Sequence, residues 1–351
     1  MILPDLSAGG AERVTITIAR ILKKEGYEVE FLNLGRHSGE MLNWIEPEFK
    51  LRSFCKRRVL KAIPALTRFM KNNRDAIYFS SREHVNLVSL ISTKFAKVDA
   101  VVRIPNMPRN ILTKGISGLK MKIIKCINKP LLKSAKRIIA QNDEMKEQIV
   151  DFYNLPPELV VAINNPVDKE FILSQGADSL YPYKPDEMNY LNVSNIAYSK
   201  GIDVLIDAWP KVKEAIPNAH MYIVGRNTSD YAKEIQNKAH NLKDFTFLGF
   251  QSNPYPFIKH CNVFVLPSRM EGFPNVVLEA MCFNKPIATT NCVKVIEDII
   301  NPGQNGYYCD IENPQSLAEC MINCARIIEP TNQYLLFNKD ALLNCMNKSN
   351  D

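Results

Sequence analysis

No stretch of this sequence holds the roughly 18 consecutive apolar residues that a membrane-crossing helix needs. No charged-then-apolar segment of the secretory kind opens it. The nine cysteines are odd in number, scattered, and without a Cys-x-x-Cys pair, which argues against a disulfide framework and for reduced thiols in the cytoplasm. Cys320 and Cys324 are four apart and share a helix face, but no His stands beside them, so packing is the expected role, not a metal site. There is no internal repeat and no low-complexity tract. The loop at Gly9-Gly10 lacks Gly-x-Gly-x-x-Gly, which weakens a dinucleotide reading.

What is present is an ordinary folded composition, 46% apolar and 23% charged over 351 residues, enough for two domains. The net charge of +7 is unevenly spread. Residues 1–170 hold 29 Lys and Arg against 18 Asp and Glu, and residues 171–351 hold 15 against 19. A basic first half implies an anionic partner: nucleic acid, a membrane surface or a phosphate-bearing substrate.

Short β-branched runs alternate with amphipathic stretches. Strands are expected at 29–34, 76–80, 100–104, 137–141 and 160–164, then at 189–194, 220–224, 245–248, 262–266 and 286–290. Ala11, Val14, Ile18 and Leu22 share a helix face that Gly26 closes. Ile202, Leu205, Ile206 and Trp209 share another. This alternation predicts α/β architecture with parallel sheets. The expected organisation is a first domain at 1–170, a linker at 171–188 carrying Pro182 and Pro185, a second domain at 189–330, and a segment at 331–351 packing back on the first domain. Only three residues precede Pro4, short for a first strand, so the chain is expected to start a few residues inside its natural beginning.

The most informative string is SRMEGFPNVVLEAMCFNKPIATT, residues 268–290. A strand ends at Leu266, a loop carries Glu271-Gly272-Phe273-Pro274, and a helix begins near Asn275. Gly272 lets backbone approach a ligand, and the free N–H groups behind Pro274 form an anion site aimed by the helix dipole. Glu271 before the helix and Glu279 one turn inside it each suit a pair of vicinal hydroxyls. A diphosphate held between two polyols is a nucleotide-sugar.

EGFPNVVLEAM resembles the E-x7-E signature of the retaining glycosyltransferases of family 4, which have the GT-B fold. LSAGGAERV at 6–14, INNPVD at 163–168, YSKGID at 198–203, FLGF at 247–250 and NPGQNGYYC at 301–309 resemble further family segments in order. The resemblance implies two Rossmann-like domains facing across a cleft. It implies that Glu271 meets the donor sugar's hydroxyls, that Glu279 meets the ribose, and that Lys200 neutralises the diphosphate. Gly9, Gly10, Asn195, Gly225, Arg226, Gly249 and Phe250 would complete the donor site. So would backbone at Gly272, Phe273, Asn275 and Val276, with Pro274 present but lacking an N–H. No cofactor is implied, since the nucleotide-sugar is a substrate. No Asp-x-Asp motif exists to hold a divalent ion on the diphosphate, so metal-free transfer is expected.

The family usually carries Arg five residues before the lysine, where this chain has Asn195. Lys200 with the helix terminus suffices, or Arg226 or Arg269 substitutes, or the enzyme is slow. The family's frequent first-domain histidine has no obvious counterpart, and His84, Arg103 and Asn106 are the acceptor-side candidates. Nine Lys or Arg fall in 50–74 and eight in 114–137, the latter interleaved with Leu and Ile as in a helix that lies on an anionic leaflet. Nucleic acid is disfavoured because neither cluster interleaves aromatics. The expected protein is a peripheral, cytoplasmic-face enzyme that moves a sugar, UDP-linked on base rate, to a lipid-linked or other glycan acceptor. A nucleotide-sugar 2-epimerase and a non-catalytic partner subunit are the alternatives.

Overall fold

The computed structural model describes residues 1–7, 9–106, 128–177, 182–184, 186–331 and 337–347. It has two compact units, Met1–Pro166 with Leu336–Asp351, and Val167–Leu335. The first contains strands β1 (Ile2–Leu3), β2 (Glu30–Asn33), β3 (Lys50–Ser53), β4 (Tyr78–Ser81), β5 (Ala100–Arg103), β6 (Arg137–Ala140) and β7 (Val160–Ala162). They form a parallel sheet in the order β3-β2-β1-β4-β5-β6-β7. The second contains β8 (Met188–Val193), β9 (Ala219–Val224), β10 (Phe245–Gly249), β11 (Val263–Leu266), β12 (Ile287–Thr290) and β13 (Gly306–Cys309). These are also parallel, in the order β10-β9-β8-β11-β12-β13. Both are Rossmann-like sheets whose strand order reverses once, between β1 and β4 and between β8 and β11, and such reversals are where open α/β sheets bind ligands.

The ten expected strands are present within two residues at their ends. β3 and β13 were not anticipated, and both are edge strands. β3 alternates exposed Lys50 and Arg52 with half-buried Leu51 and Ser53, so its charges masked its period. Lys50 pairs with Glu28 at 2.9 Å and Arg52 with Glu30 at 3.2 Å, which takes two members out of the first basic cluster. The predicted helix faces are buried, with Val14, Ile18 and Leu22 on Gly10–Lys24, and Ile202, Leu205, Ile206 and Trp209 on Ile202–Ala215. Cys320 and Cys324 lie buried on helix Pro314–Cys324 within the second unit's core.

The segment read as a linker is part of the second unit. Asp168 caps helix Lys169–Gln175, its carboxylate accepting from the Phe171 amide at 3.1 Å. That helix packs against helices Tyr255–His260 and Asn275–Cys282. Ile172 is buried, and Phe171 meets the Tyr255 ring edge-on at 6.5 Å. Tyr183 donates to the Phe257 carbonyl at 2.7 Å. Two prolines and acids suggested a passage, but Phe171, Ile172 and Tyr183 supply apolar surface that the second unit buries. At the other end, helix Lys339–Met346 places Leu342, Cys345 and Met346 in one core cluster with Leu3, Val14 and Phe31 of the first unit.

Candidate functional site

Nearly all the candidates of the second unit lie just beyond the carboxyl ends of its strands. Asn195 and Lys200 follow β8, Gly225 and Arg226 follow β9, Gly249 ends β10 with Phe250 after it, and residues 268–279 follow β11. A parallel sheet brings these sequence-distant loops to one edge. The β8 and β11 loops flank the reversal of strand order, and they are tied together there. Lys200 Nζ lies 2.7 Å from Glu271 Oε1, and Ser268 Oγ donates to the same oxygen at 2.7 Å. Backbone reinforces the tie, since the Arg269 amide donates to the Ser199 carbonyl at 2.9 Å.

Lys200 ends a short 3-10 turn, Tyr198–Lys200, immediately before helix Ile202–Ala215. A cation at a helix N-terminus opposes the macrodipole. Glu271 offsets that cost, and the lysine remains about a quarter exposed. Helix Asn275–Cys282 starts at Pro274 with no side-chain cap. Its first residues, Asn275 and Val276, are half-buried, while Phe273 and Pro274 are buried. Glu279 sits buried inside this helix at 9% exposure. The short segment thus offers an acid in front, an uncapped amino end and an acid behind.

Arg269 is not available to a ligand. It donates to Asp203 Oδ1 at 2.7 Å, to Asp203 Oδ2 at 2.6 Å and to the Tyr198 carbonyl at 2.7 Å, and it pairs with both oxygens of Glu312. Its guanidinium also lies 4.1 Å from the Tyr198 ring centroid. These partners, the Asp203 hydrogen bonds first, hold its pKa above the ordinary guanidinium range. Burial works against the Asp203 carboxylate, but the Arg269 hydrogen bonds and charge outweigh it and leave its pKa below the usual value. Arg269 therefore braces the β11 loop on helix Ile202–Ala215, and it drops out as a replacement for the missing arginine.

Arg226 remains. Its backbone amide donates to Asn195 Oδ1 at 3.2 Å, and its carbonyl accepts from the Ile196 amide at 3.0 Å. Its guanidinium stacks 4.2 Å from the centroid of Phe250. Gly225 lets this junction close, since a Cβ there would meet the Ser194 carbonyl oxygen at 1.8 Å. Asn195 thus holds the loop that carries Arg226. Near by, Cys292 follows β12, and burial pushes its thiol up to about 12, with the Glu271 charge adding to the effect, so it stays protonated.

The acceptor-side candidates occupy different settings in the first unit. His84 is exposed in the first turn of helix Glu83–Ala96. Asn106 is exposed and donates to Glu83 at 3.0 Å. Arg103 is buried at 2% exposure, where it donates to Ser81 Oγ at 3.1 Å and to Asn165, while its carbonyl accepts from Asn86 at 2.9 Å. Burial brings its pKa down to about 9, with Glu12 acting the other way. It is a tie between β4, β5 and the loop after β7, out of reach of a ligand in this structure.

Sequence reading passed over the pair that does stand at the first reversal. Glu12 is 2% exposed, and its carboxylate takes Arg82 through Nε at 2.6 Å and through the second nitrogen at 2.7 Å. Arg82 has φ of +99°, an uncommon conformation for a non-glycine residue. Gly9 makes room for the pair, because a Cβ there would meet Glu12 Oε2 at 2.4 Å and the Arg82 guanidinium at 2.9 Å. The available signal was Glu12 beside the Gly9-Gly10 loop. Of the second basic cluster, residues 114–127 lie outside the described residues, including Lys114, Lys120, Lys122 and Lys125.

Two family models match consecutive parts of the chain. Residues 8–171 match the model described as Glycosyltransferase Family 4. Residues 188–326 match the model described as Glycosyl transferases group 1. An uncharacterized glycosyltransferase of Methanocaldococcus jannaschii is 31% identical over 194 residues, which is 54% of this chain and 48% of that relative. This chain therefore spans about half of that relative's length. A Campylobacter jejuni N-acetylgalactosamine-N,N'-diacetylbacillosaminyl-diphospho-undecaprenol 4-alpha-N-acetylgalactosaminyltransferase is 22% identical over 89% of this chain and 86% of its own. The solved structure of Anabaena HepE in complex with UDP and glucose aligns with a TM-score of 0.72 at 18% identity, covering 92% of this chain and 88% of that one. That likeness shows the fold, which is GT-B.

Proposed function

The chain belongs to glycosyltransferase family 4, and from that membership we propose that it moves a sugar from a UDP-sugar to an acceptor hydroxyl with retention and without a metal ion. The observation that carries the donor assignment is the bond between Lys200 and Glu271 across the reversal of the second sheet, beside the uncapped start of helix Asn275–Cys282. The diphosphate lies at that helix start, where backbone N–H groups and the dipole favour an anion. Lys200 turns from Glu271 to the phosphate oxygens, and the released carboxylate accepts hydrogen bonds from the sugar hydroxyls. Glu279 meets the ribose. Gly249 and Phe250 complete the nucleotide side, and Arg226 supplies the cation absent at position 195.

Charge grows on the leaving diphosphate in the transition state, so a fixed cation and fixed amides aimed at it lower the barrier without a metal. The two glutamates bind hydroxyls and are not an acid/base pair of the glycosidase kind. A UDP donor is supported by the bound UDP and glucose of the HepE structure, and a lipid-linked acceptor by the name of the Campylobacter relative. The protein docks peripherally on an anionic membrane and binds no nucleic acid. In support, Lys56, Arg57, Arg58, Lys61, Arg68, Lys71 and Arg74 are exposed, with Leu60 57% exposed among them. No helix among the described residues is long and apolar enough to cross a membrane.

A thermal-shift screen of the chain against UDP, GDP, ADP and their sugars tests the donor. A UDP-sugar at 100 times its dissociation constant adds about 2.7 kcal/mol of stability and raises the melting temperature. Glu271→Ala should remain folded, lose that shift and abolish transfer. UDP release without any acceptor would point to an epimerase, and an unchanged cellular role of Glu271→Ala would point to a non-catalytic subunit.

A further inference from the structure

The amino ends of β8, β9 and β10 carry a cluster that the proposed transfer chemistry does not use. Glu187 immediately precedes β8, His220 is the second residue of β9, and Asp244 immediately precedes β10. Among the described residues they form the one grouping of three potential metal ligands, with one atom of each lying within 4.8 Å of the others. We infer that Glu187, His220 and Asp244 bind a single divalent zinc ion that staples the amino edge of the second sheet.

The reason lies in how the three side chains are held. His220 is buried at 5% exposure. Its Nε2 lies 2.8 Å from Thr246 Oγ1, and with an ion bound an Nε2–H donated there would leave the Nδ1 lone pair to the metal. Nδ1 is 3.3 Å from Glu187 Oε1 and 3.9 Å from Asp244 Oδ1. The other oxygen of each acid is already engaged. Tyr222 donates its hydroxyl to Glu187 Oε2 at 3.0 Å, and Lys213 reaches Asp244 Oδ2 at 2.6 Å. The His220 ring is further fixed by stacking on Tyr222, with centroids 4.1 Å apart and planes 11° apart.

Each candidate ligand thus has one atom within 4.8 Å of the other two while a neighbour holds its other polar atom. This is the outer-shell arrangement that orients metal ligands. Zinc takes imidazole nitrogen and carboxylate oxygen at about 2.0–2.2 Å, which in tetrahedral geometry separates ligand atoms by roughly 3.3–3.5 Å. The histidine–glutamate distance meets that value, the histidine–aspartate distance is a few tenths of an ångström longer, and the two carboxylates must close in from within 4.8 Å of each other. Two carboxylates and a neutral imidazole suit a borderline divalent ion, with water in the fourth position. Lys184, 3.7 Å from Glu187 Oε1, is mostly exposed and can swing into solvent as the ion arrives. The position lies at the opposite end of β8 from Asn195, and that six-residue strand is about 20 Å long at 3.3 Å per residue. The ion would therefore be structural and would leave metal-free transfer as proposed.

The test is calorimetric titration of the chelator-treated full chain with zinc chloride, beside the double variant Glu187→Gln, Asp244→Asn. The expected result is one ion per chain, a higher melting temperature with zinc, and at least a 100-fold weaker site in the double variant. Tyr222→Phe, which keeps every ligand, should weaken binding about 10- to 100-fold. It also serves if the double variant fails to fold. Cobalt in place of zinc should give a visible spectrum without a thiolate charge-transfer band. Absence of saturable zinc binding would overturn the site and leave a cluster of charge pairs only. So would zinc affinity that survives the double variant or Tyr222→Phe, or a thiolate band that puts the ion on cysteine.

Discussion

The two sheets share one plan and differ in the charge they place at its reversal. After β1 comes an acid, Glu12, and after β4 a base, Arg82. After β8 comes a base, Lys200, and after β11 an acid, Glu271. Each pair bridges the two loops that flank the reversal. In the first unit the acid sits in the first turn of helix Gly10–Lys24, where it answers the positive end of the dipole. There Glu12 is almost fully buried against Arg82. In the second unit the base sits at the start of helix Ile202–Ala215, and the helix opening at Asn275 carries no side-chain cap. Under the proposed function, a diphosphate at that start would answer the positive end of the helix dipole. The same fold thus places an acid-to-base pair at one reversal and a base-to-acid pair at the other.

The contrast can be broken by mutation, and the second unit should respond most. Lys200→Ala removes the movable cation and should cost about 100- to 1,000-fold in kcat, in line with loss of one group that stabilises developing charge. Steady-state kinetics with a UDP-sugar would measure it. A loss below threefold would mean the diphosphate lies elsewhere. Arg226→Ala should cost less, about tenfold, because this exposed side chain rests on Phe250 and is screened by solvent. Its effect should shrink as salt is raised, and a salt-independent loss would argue for packing instead of charge.

The first unit should answer in stability and leave donor affinity alone. Glu12→Gln keeps the shape but removes the charge facing Arg82, and should cost about 1.5–3 kcal/mol, the range for a hydrogen bond to a charged group. Chemical denaturation would read the loss, and titration with UDP would show an unaltered dissociation constant. A weakened UDP affinity would mean that this reversal also serves the donor. The smallest effect concerns pH. Asp203 has a folded pKa below its ordinary value, so the unfolded chain binds more protons in that window. Its stabilising contribution is complete above the unfolded pKa and fades as pH falls through the folded one. Asp203→Asn should therefore flatten the acid limb of a melting-temperature profile and leave the slope at neutral pH unchanged.

Apolar period and loop chemistry are local properties, and they made much of this molecule legible before any coordinates. Trp209 with Ile202, Leu205 and Ile206 marked a buried helix face, and the β-branched runs marked central strands, because burial on both faces leaves no room for polar residues. The string from Glu271 to Glu279 was legible for a similar reason, since acid, glycine, proline and helix follow one another within a single loop. β3 was hidden by the Lys and Arg that protect an exposed edge. The helix Lys169–Gln175 was hidden because its apolar residues matter only against partners some 80 residues later.

The charge pairs lay beyond sequence reading altogether. Nothing local says that Arg269 spends its donors on Asp203 and Glu312, that Arg103 is sealed inside the first unit, or that Glu12 finds Arg82 70 residues away. Spacing along the chain determined which elements form and which loop is proposed for the diphosphate, since those depend on neighbours in sequence. Which cations remain open to an anion depends on which acids the sheets bring beside them. Strand order decided that, because electrostatic partnership falls off with distance through space and takes no account of separation along the chain.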